Sequence, residues 1–187
     1  VLFGANRESV KEMVTHTALY SNRNRLMVST VVPGDAHGPV VLYAHGGGFV
    51  HGDRFEIPAT LIITCQALGV TLLTMDYTLL IQSRLLTFRK DVVDAAAHVR
   101  RSYPGRPIVF AGSSAGATIM LDALRRQTVQ IEALLLFNPL VCVDTYNADA
   151  LDDADSCWQP EQEHPDTARS LLLHQGMCFD NLSFAWP

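Results

Sequence analysis

Four continuous apolar runs of strand length mark the chain: PVVLYAH (39–45), VTLLTMDY (70–77), RPIVFAG (106–112) and IEALLLFNP (131–139). Strands buried on both faces read this way, and they occur mainly in parallel sheets covered by helices. Two earlier segments, THTALYSN (15–22) and RLMVSTVVP (25–33), instead alternate apolar and polar residues. That pattern predicts an antiparallel pair at a sheet edge. The segments between the apolar runs are helical in texture. IPATLIITCQALG (57–69) ends at Gly69, a residue suited to the position just past a helix. DVVDAAAHVRRSYPG (91–105) predicts a helix with Asp91 as its N-cap, stopping before Pro104. AGATIMLDALRRQ (115–127) carries its arginines in the last turn, where the helix dipole favours them. A short helix is predicted over 6–14. The order β-β-β-α-β-α-β-α-β specifies an α/β doubly wound, mostly parallel sheet with antiparallel N-terminal strands.

After Pro139 the pattern fails. Residues 141–187 are acidic, polar and aperiodic, and they predict an irregular or cap-like segment. The whole of 1–187 is expected to form one domain with its core at about 25–140. Composition fits that: 187 residues, 48% hydrophobic and 18% charged, suffice for a real core. A net charge of −5 and scattered basic residues give no nucleic-acid-binding surface. No apolar stretch reaches membrane-spanning length. The N-terminus lacks a signal-peptide pattern, and without an initiator Met the chain is expected to begin inside a longer product. The four cysteines, Cys65, Cys142, Cys157 and Cys178, have no metal-ligand spacing. They are expected to be free thiols of a cytoplasmic protein.

Two motifs carry chemistry. GSSAG (112–116) matches G-x-S-x-G with Ser114 at its centre, between a predicted strand and a predicted helix. In that context the flanking Gly112 and Gly116 permit a tight elbow that projects a nucleophilic hydroxyl. The neighbour Ser113 is the alternative, and the motif's register selects Ser114. HGGG (45–48) follows an earlier apolar strand. Consecutive glycines at the carboxyl end of such a strand present bare N–H groups, which acyl transfer needs for its oxyanion. A phosphate loop would need Lys-Ser/Thr at its end, and GGGFVHG has none.

HGGGF, then DY (76–77), DVVDAA (91–96) and GSSAGA, in this order and spacing, resemble the hormone-sensitive-lipase-like branch of the α/β-hydrolase fold. The resemblance runs from about residue 25 to 140. It implies a carboxylesterase or acetyl-ester hydrolase acting on small acyl esters without a cofactor or a metal. It implies Ser114 as nucleophile, with Gly46, Gly47 or Gly48 and the N–H of Ala115 as the oxyanion hole. His45 would brace the loop and is not the triad base. This chain departs from the family at Ser113, where Asp is usual, at Ala117, where Gly is usual, and in the loop after Tyr77.

A serine nucleophile needs a base and an orienting acid, in the chain order Ser…Asp/Glu…His in this fold. The downstream histidines are His164 and His174, and His174 is the candidate base. Acids in the correct order include Asp149, Asp152, Asp153, Asp155, Glu161 and Glu163, with Asp166 for His174 only. None ends a clear strand, so the family's late strands are expected to be missing. Three accounts stay open: a fragment or natural half, a catalytically impaired homologue that binds or scaffolds, or a rearranged triad using His174. An incomplete sheet would expose an edge strand, which predicts a homo-oligomer or a partner chain.

Overall fold

A computed structural model describes residues 4–80, 82, 87–125 and 129–139. Helix α1 (Arg7–Met13) leads into strand β1 (His16–Ser21), a short 3₁₀ turn at 23–25 and strand β2 (Leu26–Val32). Then come β3 (Val40–Ala44), α2 (Ala59–Ala67), β4 (Thr71–Met75), α3 (Phe88–Ser102), β5 (Ile108–Ser113), α4 (Ala115–Arg125) and β6 (Ala133–Phe137). The strands form one sheet in the order β1-β2-β4-β3-β5-β6. The β1–β2 and β2–β4 pairs are antiparallel, and β4–β3, β3–β5 and β5–β6 are parallel. This is the mixed, doubly wound sheet that the hydrophobic pattern specifies. The segment 141–187, and with it the expectation that the family's late strands are missing, lies outside the described residues.

The reason for continuous apolar strands is visible in β3, where all five residues are buried. Val40, Leu42 and Ala44 face α3 and α4 and join one core cluster. Val41 and Tyr43 face the other way, toward Leu61, Ile62 and Cys65 of α2 and Val10 of α1. Alternate residues thus feed two cores, and each large side chain removed from water contributes about 1.5–3 kcal/mol. The Cys65 thiol is buried and free, and burial pushes its pKa up to about 11. Helix α2 ends as Gly69 predicts, at φ 62, with Val70 N–H donating to the Cys65 carbonyl.

Helix α3 corrects one expectation. It begins at Phe88, and its N-cap is Thr87 rather than Asp91. Phe88 is buried and packs on Phe49, with ring centroids 5.3 Å apart, so tertiary contact extends the helix backward. Asp91 turns inward instead of capping. Its buried carboxylate accepts the Thr78 N–H at 2.8 Å and lies 3.2 Å from the Arg23 guanidinium. Burial raises its pKa above the ordinary carboxylate value. Among the described residues, no helix is long and apolar enough to cross a membrane.

Candidate active site

Parallel pairing brings the two motifs together. Ala44 sits opposite Gly112 in the β3–β5 ladder, so HGGG and GSSAG leave the same sheet edge on adjacent strands. At the end of β5 the chain turns at Ser114, whose φ is 50. Left-handed backbone costs a side-chain-bearing residue roughly 1–2 kcal/mol. The turn is held on both sides: Ser114 N–H donates to the Phe137 carbonyl at 2.8 Å, and Thr118 N–H donates to the Ser114 carbonyl at 3.1 Å.

Two glycines let the elbow close. A Cβ on Gly112 would lie 2.6 Å from the backbone of Gly116 and Ala117, so α4 folds back tightly on β5. A Cβ on Gly116 would lie 2.2 Å from the Ala44 carbonyl oxygen and 2.3 Å from that of His45. The first turn of α4 therefore rests directly on the end of β3. Gly46 faces the elbow from the other side: a Cβ there would lie 3.4 Å from Ser114 Cβ.

The glycine turn is itself braced. Gly47 and Gly48 have φ of 108 and 58, and the Gly47 carbonyl accepts Val50 N–H and His51 N–H. Phe49 follows at φ 66, only 1% exposed, and its burial pins the turn to the core. Among the described residues, no acceptor takes the backbone N–H of Gly47, Gly48 or Ala115. Unpaired donors of this kind, one at a helix N-terminus, attract negative charge.

His45 is buried, and its Nδ1 donates to the Gly46 carbonyl at 2.7 Å. A carbonyl only accepts, so Nδ1 carries the proton in this pairing. Burial lowers the imidazole pKa, which keeps the ring neutral. It stacks on Tyr77 at 4.3 Å, and the Tyr77 hydroxyl donates to the His45 and Gly46 carbonyls at 3.0 and 3.2 Å. Burial drives the Tyr77 phenol far up, so it remains a donor. Tyr77 is thus a strut under the glycine turn, while its neighbour Asp76 holds Arg54, roles that residue identity alone does not disclose. Tyr77→Phe leaves two buried carbonyls without that donor. It should lower the unfolding free energy by about 1–3 kcal/mol in urea titration. A value indistinguishable from wild type would mean the hydroxyl does not hold the turn.

Ser113 also has a defined place. Its Oγ accepts the Tyr43 hydroxyl at 2.9 Å, and burial pushes that phenol up to about 12. A cleft of about 770 Å³ opens beside the elbow, lined by Ser114, Ser113, Gly46, Gly47 and Tyr43 from the sheet edge. The rest of its lining comes from residues that sequence reading did not assign to the site: Gly4 and Ala5, the turn Glu56–Ile57–Pro58, and Phe137 and Asn138, beside the elbow at the end of β6. His51 is exposed and does not line the cleft. Among the described residues, no imidazole is hydrogen-bonded to the Ser114 hydroxyl. The candidate base His174, with His164 and the candidate acids, lies outside the described residues. Among the described residues, no group of three His, Cys, Asp or Glu is placed to hold a metal ion.

Comparison with known proteins agrees with this architecture. A family model described as the alpha/beta hydrolase fold matches residues 41–178. Versiconal hemiacetal acetate esterase of Aspergillus parasiticus is 30% identical over 103 residues, 54% of this chain and 33% of that protein. The chain thus spans about a third of that relative. A Pyrobaculum calidifontis esterase superposes with a TM-score of 0.60 at 21% identity, covering 93% of this chain and 61% of its own. Thermogutta terrifontis esterase 2, in a form phosphonylated by sarin, gives 0.56 at 18% identity, covering 69% and 55%. A hormone-sensitive lipase from a metagenome library gives 0.52 at 23%, covering 68% and 46%. At these identities the structural likeness speaks for the fold.

Proposed function

Because the chain belongs to the alpha/beta hydrolase fold family, we propose that it is a serine ester hydrolase of the hormone-sensitive-lipase-like branch, acting on small acyl esters. The observation that supports this reading is the juxtaposition at one sheet edge. Ser114 sits at left-handed φ beside Gly46, and N–H groups of Gly47, Gly48 and Ala115, unpaired among the described residues, lie in the same two motifs.

In the proposed reaction, Ser114 Oγ bonds to the ester carbonyl carbon while its proton passes to an imidazole, for which His174 is the candidate. The carbonyl electron pair moves to oxygen, and N–H groups from the glycine turn and Ala115 hold that oxyanion. Collapse breaks the bond to the alcohol, which leaves with the proton. Water then attacks the acyl-serine, releases the carboxylic acid and restores the hydroxyl. His45 and Tyr77 keep the donors aimed, and no cofactor takes part.

The Thermogutta esterase is named as phosphonylated by sarin, and the same chemistry supplies the test. A fluorophosphonate should label Ser114 covalently. A folded protein that resists labelling would favour the rival reading, a catalytically impaired homologue that binds ligand in the cleft.

The proposal includes an oligomer or a partner chain. Among the described residues β6 pairs on one side only, with β5, and its Leu135 is 42% exposed. An unpaired apolar edge favours pairing with another chain. Sedimentation velocity should detect self-association that grows with concentration, and a monomer at every concentration counts against it.

A further inference from the structure

The lining of the cleft has a charge that the reaction does not use. Glu56 is the one formally charged side chain among the described residues lining the cleft. It is held there by its backbone. Glu56 N–H donates to the Asp53 carbonyl at 3.0 Å, Ala5 N–H donates to the neighbouring Ile57 carbonyl at 2.8 Å, and Gly4 bridges to Pro58. Asp53 in turn pairs with Arg7 and accepts the Phe55 N–H, which fixes the start of the turn. Nearby Arg7 and Arg54 are engaged by Asp53 and Asp76. The Glu56 carboxylate makes no ion pair among the described residues. Its charge adds to the burial that raises the Tyr43 phenol. Tyr43 and Phe137 also line the cleft, Tyr43 from the buried core, and among the described residues no Lys, Arg or His lines it.

A carboxylate without an ion pair among the described residues, whose neighbour Arg7 is held by Asp53, is suited to a positively charged group. We propose that Glu56 is a specificity-determining residue that favours esters bearing a quaternary ammonium over neutral isosteres and over esters bearing a carboxylate. The inference rests on the serine-hydrolase reading for the word ester, and its test separates the two. Glu56 is exposed, so solvent screens its field and the expected preference is modest.

The probes are acetylcholine and its uncharged isostere, in which carbon replaces the quaternary nitrogen. Binding is measured by calorimetry to Ser114→Ala, which cannot turn either over. The cation should bind about fivefold more tightly, which is about 1 kcal/mol. The preference should shrink as salt rises and vanish in the Ser114→Ala/Glu56→Gln double variant. Equal affinities, a preference that survives Glu56→Gln, or no binding of either probe would each overturn the inference. Hydrolysis by the wild-type chain is read separately. A charge preference without turnover rejects the hydrolase reading and keeps this one, whereas turnover without preference does the reverse.

Discussion

Ser114→Ala should reduce ester hydrolysis by at least about 10⁴-fold and abolish fluorophosphonate labelling, with little change in stability. The magnitude follows from removing the nucleophile, which leaves only whatever transition-state binding the cleft supplies. Stability should hold because alanine meets the same left-handed strain as serine at φ 50 and keeps the N–H that donates to Phe137. Ser114→Gly should be equally inactive but more stable by about 1 kcal/mol, since glycine tolerates that backbone. Ser113→Ala is the necessary contrast. It removes the acceptor of the Tyr43 hydroxyl but leaves the elbow serine in place. Labelling that survives Ser114→Ala and disappears in Ser113→Ala would transfer the nucleophile to Ser113.

Gly116→Ala should destabilise the fold by roughly 3–4 kcal/mol, a fall of about 10 °C in Tm for a chain of this size. Helix propensity alone predicts the opposite sign, a gain of about 1 kcal/mol in α4. Sterics decide the matter. The new methyl would stand 2.2 and 2.3 Å from two backbone carbonyl oxygens, and neither strand end can retreat without breaking the β3–β5 register. Gly105→Ala is the control: it sits at φ 74, and a Cβ there has nothing within 4 Å. That change should cost only its backbone strain, about 1–2 kcal/mol. Equal effects of the two substitutions would show that close approach of α4 to β3 does not matter.

Strands β3, β4 and β5 were legible because burial on both faces leaves unbroken apolar runs, β6 from its apolar run alone, and β1 and β2 from their alternation, although in β2 the polar Ser29 and Thr30 are themselves buried. Helix α2 was legible as a helix but not in its orientation. Apolar residues surround it, so nothing in the pattern says that Leu61, Ile62 and Cys65 turn inward while Ile63 remains 63% exposed. Asp91 misled because capping is a local preference, and the Arg23 guanidinium and the Thr78 N–H, from other segments, outweigh it. Within the candidate site, the motifs pointed to Ser114 and the glycines. They did not disclose Tyr43, Glu56 or Gly4. Those residues enter the cleft through the tertiary path of the chain, and no spacing rule connects them to Ser114.

The β3–β5 register also has a kinetic meaning. Ala44 and Gly112 are ladder partners with β4 and both crossover helices between them in the chain. Closing that loop is an entropic cost met before the pairing returns any stabilisation. Neither motif alone can populate the site, because each supplies half of a surface that exists only after this non-local step. A refolding chain should therefore recover helical signal first and acquire reactivity toward a fluorophosphonate only with the slowest phase. Reactivity of the elbow serine would then be a clock for the completion of the sheet.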